Sequence, residues 1–99
     1  MLHIVNKSPY ERNTLESCLR LASNGSAVLL IEDGVYGATK GGSVEAKVLG
    51  AMASVKVYAL GADLQARGVA DRVLDGVTVV DYGGFVDLVA EHGNLQSWL

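Results

Sequence analysis

The run Ala27-Val28-Leu29-Leu30-Ile31 is apolar at every position. A strand with one wet face alternates apolar and polar residues, so a run without alternation belongs to a strand covered on both faces, the usual state in a parallel sheet. Leu2 to Val5 and Val77 to Val80 follow the same pattern nearly throughout, and Val55 to Leu60 is a fourth run rich in β-branched and aliphatic residues. Parallel neighbours cannot be joined by tight hairpins, so helices must lie between the runs.

The connections supply them. Leu15, Cys18, Leu19 and Ala22 follow i, i+3, i+4, i+7 spacing, with Asn13 as N-cap, Glu16 three residues later and Asn24-Gly25 as the stop. Ser8-Pro9 with Glu11 is a competing, earlier start. Asp33-Gly34 turns the chain into a short helical piece around Val35 to Ala38, and Val44 to Ala53 is a second amphipathic stretch. Asp63 to Arg67 gives a short helix ending at Gly68, and Phe85 to Glu91 gives the last one, with Phe85, Leu88 and Val89 inward. Strand and helix alternate, which predicts right-handed crossovers and one α/β domain over residues 1–99: a three-layer α/β/α sandwich on a mainly parallel sheet of four to five strands.

Charge and cysteine usage narrow the function classes. With 8 Lys+Arg against 11 Asp+Glu, the chain lacks the concentrated positive charge that drives phosphate-backbone binding, so direct nucleic-acid contact is not expected. A single cysteine, Cys18, cannot close an intrachain disulfide, which fits a reducing, cytoplasmic setting. The short apolar opening before Asn6 and Lys7 predicts no export signal, and the longest apolar run is far below a membrane span. Hydrophobic residues make up 49% of the chain, enough that part of its apolar surface is expected to be covered by partner subunits.

In an open parallel sheet the functional edge is built by the loops after the strands' carboxyl ends. Those loops hold Asn6, Lys7 and Ser8, then Glu32 and Asp33, then Gly61 to Asp63, then Asp81-Tyr82-Gly83-Gly84. They contain no metal-spaced cluster and no nucleotide fingerprint, so neither metal nor cofactor is expected. Lys40-Gly41-Gly42-Ser43 follows no strand directly and reads as a mobile loop. Asp33 and Asp81 stand where strand hands over to helix and read as N-caps rather than catalytic acids. His3 and His92 are isolated and read as structural. Trp98 either folds back on the domain or inserts into a neighbour. Cys18 lies on the apolar stripe of its helix, where the alternatives are inert packing and, if exposed beside a positive group, a thiolate able to carry sulfane sulfur.

Several segments together resemble the DsrH/TusB family: Met1-Leu2-His3-Ile4-Val5-Asn6-Lys7-Ser8-Pro9, Leu29 to Val35, Lys56 to Leu60 with Asp63 to Gly68, Val80-Asp81-Tyr82-Gly83-Gly84-Phe85-Val86, and the Trp98 terminus. The likeness spans nearly the whole chain in order. It implies a small subunit of a cytoplasmic sulfur-relay assembly, in which DsrE/TusD-like and DsrF/TusC-like chains join it in a two-of-each heterohexamer that can hand sulfur to a DsrC/TusE-like acceptor. The segment Glu11 to Leu19, with its cysteine, looks more like the DsrH branch and so implies sulfur oxidation; the TusB branch, thiolating the tRNA wobble uridine, is the alternative. The principal relay cysteine of such a complex belongs to the DsrE/TusD-like partner, in the loop after its third strand, where this chain has Gly61-Ala62-Asp63.

The resemblance makes assembly the main expected role, with Cys18 as an auxiliary persulfide acceptor and Lys7, Ser8, Asp33, Tyr36, Asp81, Tyr82 and Trp98 as binding or interface residues. Two rivals remain: a stand-alone persulfide transferase using Cys18 with Lys7, Asp33 and Asp81, and a purely structural interaction subunit. Exposure of Cys18 separates them.

Overall fold

The computed structural model describes residues 1–98. Five strands, β1 (Leu2–Val5), β2 (Ala27–Leu30), β3 (Lys56–Leu60), β4 (Thr78–Val80) and β5 (Leu95–Trp98), form one sheet in the order β4-β3-β2-β1-β5, and every pairing is parallel. The helices are α1 (Thr14–Leu21), α2 (Glu45–Ala51), α3 (Gly61–Ala66) and α4 (Tyr82–His92), with 3-10 segments over Glu32–Ala38 and Ala70–Arg72. The expected α/β class and parallel sheet are present, with the runs of β1, β2 and β3 at its centre; the fourth run, expected to be covered on both faces, instead forms the edge strand β4 with Thr78 and Val79 exposed. All residues of β1 and β2 are buried. The fifth strand is the last in sequence; Leu95, Gln96 and Ser97 are exposed on it, which suits an edge, and its partly polar residues give no apolar run to read.

Topology decides how the two faces are covered. From β1 to β4 each connection steps in one direction across the sheet, whereas β4 to β5 runs back over the full width to the opposite edge. Right-handed crossovers in opposite directions lie on opposite faces, so α4 stands alone on its side. The side chains sort accordingly. Val5, Val28, Leu30, Val57 and Ala59 join the larger core with Leu15, Cys18, Val35, Val48 and Leu64, while Leu2, Ile4, Ala27 and Leu29 pack with Leu88 of α4, flanked by Tyr58, Val80 and Phe85.

Several boundaries differ from expectation. α1 stops at Leu21, three residues before Asn24, because Ala22 turns extended (ψ 129°); Gly25 then takes φ +88°, a left-handed turn that a glycine adopts without strain. Asn13 holds the cap position but its side chain makes no capping bond. Ser8 does start an earlier turn: its Oγ accepts from the Tyr10 N–H at 3.2 Å and its carbonyl accepts from the Glu11 and Arg12 amides. Asp81 caps α4 as read, Oδ1 accepting from the Gly84 N–H at 2.8 Å. Val89, expected inward, is exposed, because it shares a helix face with Tyr82 and Val86 while Leu88 occupies the sheet-facing side.

Trp98 folds back. Its Nε1–H donates to His3 Nδ1 at 3.1 Å, fastening the edge strand β5 to β1. His3 is buried, and burial, aided by the N-terminal charge, lowers its pKa from the usual 6.5. Because the folded state favours neutral His3, its contribution to stability is complete above pH 6.5 and is lost as pH falls through the lowered folded value. Urea titrations followed by Trp98 fluorescence should show stability declining below pH 6.5, and His3→Gln should flatten that dependence.

Candidate functional site

Because all five strands are parallel, their carboxyl ends meet at one rim. The exit of β2 is its most constrained point. Glu32 adopts φ +49°, a left-handed conformation uncommon for a residue with a side chain, and costs of order 1 kcal/mol or more there. Its N–H donates to Asp63 Oδ2 at 2.6 Å, so α3 holds the turn in place. Arg67, one turn further along, donates from Nε to Asp33 Oδ1 at 2.8 Å and lies 3.7 Å from Asp63 Oδ1. Asp33 therefore does not cap the 3-10 segment; it pairs with Arg67 across the gap between the two connections. With Asp33 about half exposed, this pair adds at most about 1 kcal/mol and works chiefly as an orienting tie. A third constraint is steric: a Cβ at Gly34 would fall 2.2 Å from the Val5 carbonyl oxygen, so only glycine lets this loop pass against the end of β1.

The groove of this rim opens between β3 and β4. There the connections diverge, β3 leading to α3 on one face and β4 to α4 on the other, which is the switch point where α/β sheets form crevices. A groove of about 440 Å³ is lined by Gly61, Ala62, Gln65, Val79, Val80, Asp81 and Tyr82. Its lining combines apolar side chains with the Gln65 amide, the Tyr82 phenol and the Asp81 carboxylate, and that carboxylate caps α4, so the helix's amide end already has an acceptor. Nothing in the lining is a thiol, an imidazole or an amine. Among the described residues no three metal-ligating side chains cluster.

The expected site residues separate into distinct places. Lys7 stands exposed after β1, Ser8 is buried in its turn, and Tyr36 lies half-buried on the 3-10 segment against the larger core. Asp81 and Tyr82 share the groove, Asp33 joins the Arg67 tie, and Trp98 is bound to His3. Cys18 belongs to none of these. It is fully buried between α1 and the sheet among Leu15, Val28 and Leu30, and burial pushes its thiol up to about 12. The partial exposure and positive neighbour that a sulfur-carrying thiolate needs are therefore missing from this chain's fold. Arg67 is the rim residue that the sequence did not single out, since its partner lies 34 residues away and no local pattern marks the pair.

With this geometry, likeness to other proteins becomes informative. A family model described as DsrH like protein matches residues 7–95. The chain belongs to the DsrH/TusB family. Relatives named Protein TusB include one from Pectobacterium parmentieri, 36% identical over 98 residues that cover 99% of this chain and all of the relative, and one from Shigella flexneri at 37% with the same coverage. Among solved structures, the crystal structure of the ychN protein from E. coli superposes with a TM-score of 0.80 at 19% identity, covering 97% of each chain. A Methanobacterium thermoautotrophicum protein of unknown function gives 0.75 at 24% identity, covering 97% of this chain and 95% of that one. These structural likenesses concern the fold. No helix among the described residues is long and apolar enough to cross a membrane.

The burial of Cys18 yields a measurable expectation. A thiol-specific reagent should leave the folded chain unlabelled and react at full stoichiometry in denaturant. Cys18→Ser should fold but lose about 1 to 3 kcal/mol, because the hydroxyl enters an apolar site without a partner. Rapid native labelling would place the thiol at the surface.

Proposed function

We propose that this chain is a non-catalytic assembly subunit of a heteromeric sulfur-relay complex of the TusB kind, serving 2-thiolation of the tRNA wobble uridine, with sulfur carried by a partner's cysteine. The observation that carries this reading is the burial of Cys18, the chain's single cysteine, in a protein whose full-length relatives are named TusB. In persulfide relay an acceptor thiolate attacks the outer sulfur of a donor persulfide and the donor leaves as a thiolate, so an acceptor must be both ionised and reachable. Cys18 is neither. The position after β3, where the family resemblance puts the relay cysteine of the DsrE/TusD-like partner, is here the first turn of α3, Gly61-Ala62-Asp63.

By resemblance alone, the cysteine on the first helix points to the sulfur-oxidation branch and an auxiliary acceptor role. Full-length relatives carrying the TusB name, together with the buried thiol, favour tRNA thiolation and a packing role instead. The same burial speaks against a stand-alone transferase built on Cys18 with Lys7, Asp33 and Asp81, which the fold leaves on separate parts of the rim. The DsrE/TusD-like and DsrF/TusC-like chains are the proposed partners in a heterohexamer, with a DsrC/TusE-like protein as downstream acceptor. The acidic balance of this chain leaves RNA contact to the others.

Co-expression with the DsrE-like and DsrF-like chains of the same organism, followed by native mass measurement, should give one complex containing all three. Deleting the gene for this chain should lower 2-thiouridine in tRNA hydrolysates. The isolated chain should not retain tRNA on a filter even at low salt. A stable monomer indifferent to both chains, or undiminished 2-thiouridine in the deletion strain, would rule the reading out.

A further inference from the structure

The face of the sheet that carries α4 is covered by one helix alone. Five strands span about 19 Å from edge to edge, whereas a helix with its side chains is about 10 Å wide. α4 shields the middle of this face through Leu88 and Phe85, yet its own outer side is also apolar. Tyr82, Val86 and Val89, at i, i+4 and i+7, are 63%, 65% and 37% exposed. Gly83 and Ala90 widen the stripe without adding charge. At its beginning Tyr82 lines the groove with Val79, itself 51% exposed, so the apolar surface continues from the helix into the switch-point groove.

Charge identifies what fits there. From Val73 onward the chain carries Asp75, Asp81, Asp87 and Glu91 with no lysine or arginine, and the one basic residue that strand alternation places on this side of the sheet is Lys56, at the start of β3 and outside the α4 stripe. Asp87 and Glu91 fall together on one flank of the stripe, given the 100° step of a helix. A second copy meeting this face with its own α4 would supply carboxylates and no lysine or arginine from that helix, and an acidic lipid surface would be repelled by them.

We propose that the outer face of α4, continued into the groove beside Tyr82, docks a protein partner whose matching patch is apolar at its centre and carries lysine or arginine along one side. This deepens the relay-subunit reading and rests on it for the identity of the partner. Tyr82 and Val86 supply the desolvated centre, where most binding energy is gained, and Asp87 and Glu91 set orientation and encounter rate.

The probe is the pair of DsrE-like and DsrF-like chains of the same organism, mixed with the full-length chain and followed by light scattering and by titration at low and high salt. Val86→Glu and the double variant Asp87→Lys with Glu91→Lys change only exposed positions, so each should keep the parent's circular dichroism and melting curve. Val86→Glu should weaken assembly about tenfold or more, and the charge reversal should weaken it at low salt while reducing its salt dependence. Parent-like assembly by both variants would overturn the docking face and leave the relay-subunit reading standing. Failure of the parent to assemble would remove both, and a homodimer of the parent broken by Val86→Glu would replace the proposed occupant with a second copy.

Discussion

A right-handed crossover that reverses direction must pass over the opposite face of the sheet, and in this protein the β4-to-β5 connection does so. The asymmetry of the molecule follows from it. The first connections pack α1, α2, α3 and the 3-10 segment on one face and bury the larger core there, while α4 alone closes the other. The same reversal parts the chain at the ends of β3 and β4, opening the groove, and returns the C-terminus to the far edge, where Trp98 reaches His3. A domain built this way is well filled on one side and underfilled on the other.

That distribution accounts for what the rim does and does not offer. A strained Glu32, the Asp63 carboxylate that accepts its amide, the Asp33–Arg67 pair and the close pass of Gly34 under Val5 make the β2 exit rigid. Asp33, Asp63 and Arg67 pair with one another there, and the lining of the neighbouring groove holds no thiol, imidazole or amine.

The parts of this fold that local chemistry determines could be read from the residues. The uninterrupted apolar run of β2 and the nearly apolar run of β1 marked the parallel sheet, and Asp81 was legible as the cap, although the helix read from Phe85 begins at Tyr82. β5 could not be read that way, since an edge strand with exposed Leu95, Gln96 and Ser97 has no periodicity to distinguish it from a tail. Val89 reads as inward from its spacing to Phe85 and Leu88, but those two face the sheet while Val89 turns outward with Tyr82 and Val86. The Arg67–Asp33 tie joins elements distant in sequence, and the left-handed Glu32 occupies a position where nothing in the local sequence announces it. The placement of Cys18 on the apolar side of α1 was legible, whereas its complete exclusion from solvent depends on the larger core closing over it.

The central claim is that this chain organises a sulfur relay without carrying sulfur itself. Its most direct test is intact-mass analysis of each subunit after the assembled complex has been charged by a sulfur donor. The account predicts an increment of about 32 Da per sulfur atom on the DsrE-like subunit and an unmodified mass for this chain. A matching increment on this chain that disappears in Cys18→Ser, with the complex intact, would contradict it.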